Sequence, residues 1–96
     1  MVKINWTRQS IEDIHSIRAY YIEPSTKFTE ELTDKIIEKA AVLENFPNMG
    51  RIVPEIGNAF IRELIFQNYR IISESRIDII AVHNGLRPLS KDSIFN

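Results

Sequence analysis

The chain has 96 residues with 12 Lys and Arg, 13 Asp and Glu and a formal net charge of −1, so it is read as a single globular domain over 1–96 without the basic excess of a nucleic-acid binder. With no cysteine, disulfides and thiolate chemistry are excluded, two histidines leave little for an imidazole metal centre, and neither metal nor cofactor is expected. No apolar run approaches the ~20 residues of a membrane helix and no basic-then-apolar leader opens the chain, so a cytoplasmic location is expected.

Val2-Lys3-Ile4-Asn5-Trp6 alternates with the period of a half-buried strand, and Thr7 can cap a helix from about Arg8 to about Ile22. Its buried stripe is Ile11, Ile14 and Ile17, with His15 off the stripe on a solvated face. Pro24 stops this helix, and Ser25 or Thr26 can cap a second one. The second stripe is Phe28, Leu32, Ile36, Ala40 and Leu43, so the two helices form an antiparallel hairpin. Phe46-Pro47-Asn48-Met49-Gly50 ends the helical region, and Pro54 argues that the following stretch is a loop or irregular edge.

From Phe60 the period becomes that of strands. A two-residue turn at Gln67-Asn68 sets Ile65 opposite Arg70 and Phe66 opposite Tyr69, and a second turn at Glu74-Ser75 sets Ile72 opposite Ile77 and Arg70 opposite Ile79. One face then carries Phe60, Arg62, Leu64, Phe66, Tyr69, Ile71, Asp78, Ile80 and Val82, and is assigned to the helices. The other displays Glu63, Arg70 and His83 among Ile61, Ile65, Ile72, Ile77, Ile79 and Ala81, an open apolar face that asks for a partner. The fold class is α+β: an N-terminal strand, a helical hairpin and a three-stranded antiparallel meander in one mostly antiparallel sheet.

Seven short stretches in order resemble one family. They are Ile4-Asn5-Trp6-Thr7, Leu43 to Pro47 with Gly50-Arg51, Val53-Pro54-Glu55, Ile61-Arg62-Glu63-Leu64, Tyr69-Arg70-Ile71-Ile72, Ile79 to His83, and Arg87. Together they resemble the RelE/ParE toxins of bacterial type II toxin–antitoxin modules. The resemblance implies a toxin held in a hetero-oligomer by a cognate antitoxin, whose segment wraps it and often adds to the sheet.

The family divides by target. RelE-like members cut messenger RNA on the ribosome by attack of a ribose 2′-hydroxyl on the adjacent phosphate, which needs a base, a cation and an acid. Under that reading Glu55 or Glu63 is the base, Arg70 and Arg62 stabilise charge, and His83 is the acid. ParE-like members inhibit DNA gyrase and hydrolyse nothing. The net charge, the Gly50-Arg51 to Glu55 stretch and the missing terminal tyrosine lean towards ParE. Arg51, Arg62 and Arg87, with Ile65 and Ile79, are then the contacts for target or antitoxin. Three plainer roles stand beside these: an Arg70–Glu63 ion pair, an Arg62–Asp78 pair at the rim, and His83 as a hydrogen-bonding cap at the strand end. A third reading is a small module that docks a peptide on its outer sheet face.

Overall fold

A computed structural model describes residues 3–20, 26–75 and 77–89, without the side chains of Thr26 and Phe28. The elements are β1 (Asn5–Trp6), α1 (Arg8–Tyr20), α2 (Thr26–Ala41), a single 3₁₀ turn (Val42–Glu44), β2 (Arg51–Ile52), β3 (Ile61–Phe66), β4 (Tyr69–Glu74) and β5 (Asp78–Asn84). The strands form one sheet in the order β1-β5-β4-β3-β2, antiparallel throughout except for the parallel β1–β5 pair. The α+β class, the helical pair and the β3-β4-β5 meander agree with the sequence reading, and β2 adds an edge strand to it. The expected helix stop at Pro24, the cap at Ser25 and the polar tail after Leu89 lie outside the described residues.

Thr7 does cap α1: its side-chain oxygen accepts the Ser10 amide at 3.3 Å, while its hydroxyl donates to the Ile79 carbonyl at 2.9 Å and ties the helix start to β5. Ile14 and Ile17 are buried as the stripe requires, but Ile11 is 46% exposed and Ser10 takes the inward position. Ser10 can do so because its hydroxyl donates to the Thr7 carbonyl at 2.7 Å, which satisfies a polar group that would otherwise be costly to bury. On α2, Leu32, Ile36 and Ala40 are buried, and Leu43 continues the row through the 3₁₀ turn. The helices are cross-tied where the Arg18 Nε donates to the Thr33 hydroxyl at 3.0 Å.

The Gln67-Asn68 turn has the expected register, with Ile65 opposite Arg70 and Phe66 opposite Tyr69. The second turn does not. Pairing resumes at Glu74 with Asp78 and Ser73 with Ile79, and then a bulge sets Ile72 opposite Ala81 and Arg70 opposite His83. The wider connection, entered through Ser75 in a left-handed conformation (φ 52°), shifts the register by an odd number, and the bulge adds one residue more. Ala81, Val82 and His83 therefore keep their expected faces, but the residues between turn and bulge exchange theirs. Ile79 moves from the outer face into the helix-side core and is 0% exposed.

The supposedly open apolar face is also covered. Ile14, Ile17, Leu32, Ile36, Leu64, Tyr69, Ile71, Ile79 and Val82 pack between helices and sheet, while Val53, Ile61, Ile72, Ala81 and Leu89 form a second cluster on the opposite side, with Ile56 and Ile80 against it. The lid of that second cluster is the segment after β2. The Val53 amide bonds to the Ile61 carbonyl at 3.2 Å, and the Gly57 amide returns to the Val53 carbonyl at 2.9 Å, which folds the segment into a turn over the sheet. Pro54 breaks the strand, as expected, and the chain after it doubles back as a cover. Of the outer isoleucines, Ile65 stays 51% exposed.

Candidate functional site

The loop-side face holds a chain of four charged groups. Arg51 lies opposite Glu63 across the β2–β3 pair, and its Nε donates to Glu63 Oε2 at 2.7 Å. The other Glu63 oxygen accepts from Arg70 Nε, and the remaining fork of Arg70 grips Glu55, with Nη1 and Nη2 each 2.7 Å from a different carboxylate oxygen. The Glu63 side chain is 0% exposed and that of Arg70 12%, whereas Arg51 and Glu55 are more open at 60% and 38%. One buried carboxylate thus has both oxygens occupied by guanidinium groups, and Arg70 is held by two carboxylates at once. The arrangement joins β2, β3, β4 and the covering segment.

Glu63 is therefore not displayed on an open surface. It sits beneath the covering segment, which sequence alternation could not show because a loop has no period. The proposed Arg70–Glu63 ion pair is present. The proposed Arg62–Asp78 pair is not formed: β4 lies between their strands. Arg62 donates instead to the carbonyls of Ala59 and Gly50 at 3.2 and 3.3 Å, and Asp78 accepts from the Asn5 side-chain amide at 3.3 Å.

The Arg70 guanidinium holds Glu55 well below the ordinary carboxylate value of 4.5, at about 2, chiefly through its two hydrogen bonds and with smaller help from the charges of Arg70 and Arg51. The same bonds raise the affinity of Arg70 for its proton. A folded-state value depressed below the unfolded one means that the clamp's contribution is fully present above about 4.5 and is lost as pH falls towards about 2. Accordingly, carboxyl carbon NMR of Glu55 should show a titration midpoint well under 4.5, and Arg70→Gln should return it close to 4.5. A wild-type midpoint near 4.5 would mean that the clamp does not form in solution.

His83 lies opposite Arg70 in the β4–β5 ladder. Its Nε2 stands 3.1 Å from the Arg87 carbonyl, and since a carbonyl can only accept, this nitrogen carries the proton and donates. The ring closes the turn after β5, the capping role described above. The Arg87 guanidinium is exposed and has no side-chain partner among the described residues. Beside it, α1, the end of β5 and the two turns at Asn68 and Asn84–Arg87 line an open pocket of about 540 Å³.

Sequence reasoning passed over one group, Asp13. Its Oδ2 accepts the Val82 backbone amide at 2.9 Å, and partial burial raises its proton affinity, with that hydrogen bond opposing the shift. A carboxylate next to Ile14 and one turn before Ile17, at the border of the buried stripe, is the only signal, and it is weak. Among the described residues no cluster of His, Asp and Glu is placed to hold a metal ion, and no helix is long and apolar enough to cross a membrane.

Comparison with curated proteins gives no match. Comparison with protein families does: residues 4–87 match the family described as ParE toxin of type II toxin-antitoxin system, parDE. The matched span runs from the residue before β1 to the Arg87 turn and so takes in every strand and helix of the structure. The chain belongs to the ParE toxin family, within the RelE/ParE superfamily of type II toxins.

Proposed function

We propose that this toxin acts in the cytoplasm by ParE-like inhibition of DNA gyrase and is neutralised by its cognate antitoxin, as part of a plasmid-stabilisation module. One observation carries the choice against RNA cleavage: every group that a hydrolytic mechanism would draw on is already engaged within the fold. All three nitrogens of Arg70 bond to carboxylates, and both oxygens of Glu63 bond to arginines. Glu55, held at about 2, is a poor base at neutral pH, because general-base efficiency favours a value near the working pH. The His83 Nε2 proton is committed to the Arg87 carbonyl. Such a set braces a surface. The match to a ParE family points the same way.

Under this reading the contacts with gyrase or antitoxin are made by exposed groups. Arg87, Arg51 and Ile65 fit that role, while Arg62 is spent on backbone carbonyls and Ile79 is in the core. Purified toxin should inhibit supercoiling by gyrase in a dose-dependent way, with antitoxin restoring it, and should leave message intact on translating ribosomes. Unimpaired supercoiling together with cleaved message would replace this reading by the RelE-like one.

A further inference from the structure

Among the described residues, three stretches of sheet edge are short of a neighbour, and two of them are blunted by simple means. β1 and β2 are two residues each, and β2 is framed by Gly50 and Pro54, so neither offers a run long enough for another strand. The third stretch is different. β1 covers β5 only at its start: the Asn5 amide reaches the Ile77 carbonyl and the Thr7 amide reaches the Ile79 carbonyl, after which the chain turns away into α1. Because β1 runs parallel to β5, the half of β5 from Val82 to Asn84 lies past the point where β1 ends.

Beyond the bulge, the Val82 amide faces away from β4. It donates to Asp13 Oδ2 at 2.9 Å, and the Asn84 carbonyl is taken by the Arg87 amide at 3.0 Å. The carboxylate oxygen of a helix residue thus stands where the carbonyl of a sixth strand would stand.

The geometry points to Asp13 as a guard of this edge: by occupying the outward amide of Val82 it keeps the uncovered half of β5 from pairing with the same half of a second copy of the chain. A strand edge with unpaired donors is a template for another strand, and natural sheets protect such edges with charged or covering groups. Here the cover is one side chain delivered from α1. An acceptor suffices for the bond, and the negative charge adds repulsion where two copies would meet face to face. α1 is well placed for the task because Ser10 before Asp13 and Ile14 and Ile17 after it are buried and fix the helix at that height.

The test compares Asp13→Ala, which removes the acceptor, with Asp13→Asn, which keeps an amide oxygen able to accept. The purified full chain is followed by hydrogen exchange at Val82 and by sedimentation over a concentration series. Asp13→Ala should speed Val82 exchange by roughly tenfold or more at low concentration and should self-associate as concentration rises. Asp13→Asn should keep most of the Val82 protection and stay closer to wild type in its association. Should Asp13→Ala fail to fold, Asp13→Glu, with its carboxylate displaced by one methylene from the Val82 amide, takes its place and should exchange faster at Val82 and associate more than Asp13→Asn. Faster exchange without self-association in the acceptor-free chain overturns the proposal, because the bond would then exist without guarding anything. Unchanged exchange overturns it as well.

Discussion

Glu63→Ala should cost about 3–5 kcal/mol of folding stability, the range for removing one member of a buried ion pair and leaving its partners uncompensated. The side chain is fully buried, and each oxygen neutralises a different arginine. Without it, Arg70, only 12% exposed, keeps Glu55 as its sole counter-ion, and Arg51 loses its anchor on β3. Loss of Glu63 also releases the Arg51 end of the segment that lays Val53 over Ile61 and Ile72, leaving the Arg70–Glu55 pair as its remaining ionic tie. Glu55→Ala serves as the internal comparison. That carboxylate is 38% exposed, so water can replace it, and its removal should cost no more than about 1 kcal/mol. Urea unfolding of the two variants measures both values, and equal losses would mean that the network is shared evenly and not centred on Glu63.

Gly50→Ala should be the most damaging single-methyl addition in the described chain. At φ +105° an L side chain is strained, which alone costs about 1–3 kcal/mol, and an added Cβ would lie 2.7 Å from the Glu63 carbonyl oxygen. That oxygen belongs to a strand paired on both sides and cannot give way as a flexible side chain could. The backbone at Gly50 must shift instead, carrying Arg51 away from Glu63 and withdrawing the carbonyl that Arg62 uses. A lower denaturation midpoint together with loss of the low Glu55 titration would show the two effects travelling together. A loss of stability with the Glu55 titration intact would confine the damage to Gly50 itself.

The elements of the fold were legible because each is written in its own period. The 3.6-residue stripe of α2, the cap at Thr7 and the alternation through Ile61–Phe66 and Tyr69–Glu74 rest on local backbone geometry, which neighbours in sequence determine. The position of Ile79 was not legible. It follows from the wider connection after Glu74, which moves the register by an odd number before the bulge restores it, and nothing in Ser75 to Val82 marks either shift until the partner strand is in place. The burial of Glu63 escaped for a related reason. Alternation assigns a side of the sheet, and whether that side is wet depends on a loop whose path is set by Val53 and by the ion network itself. The candidate site was therefore readable as a set of residues and misread as an exposed surface.

The sheet works as a partition. Helix-side and loop-side clusters share no residue, and between them lies a continuous hydrogen-bonded layer whose alternate side chains belong to one compartment or the other. Ile36 shares its cluster with Leu32, Leu64 and Ile71, and Ile61 shares the other with Val53, Ile72 and Leu89, so a change of volume at either should be felt first on its own side of the sheet. Each compartment can drift in sequence on its own account, so the surface behind the helices and the surface behind the Val53 turn are free to meet different selective demands within one small protein.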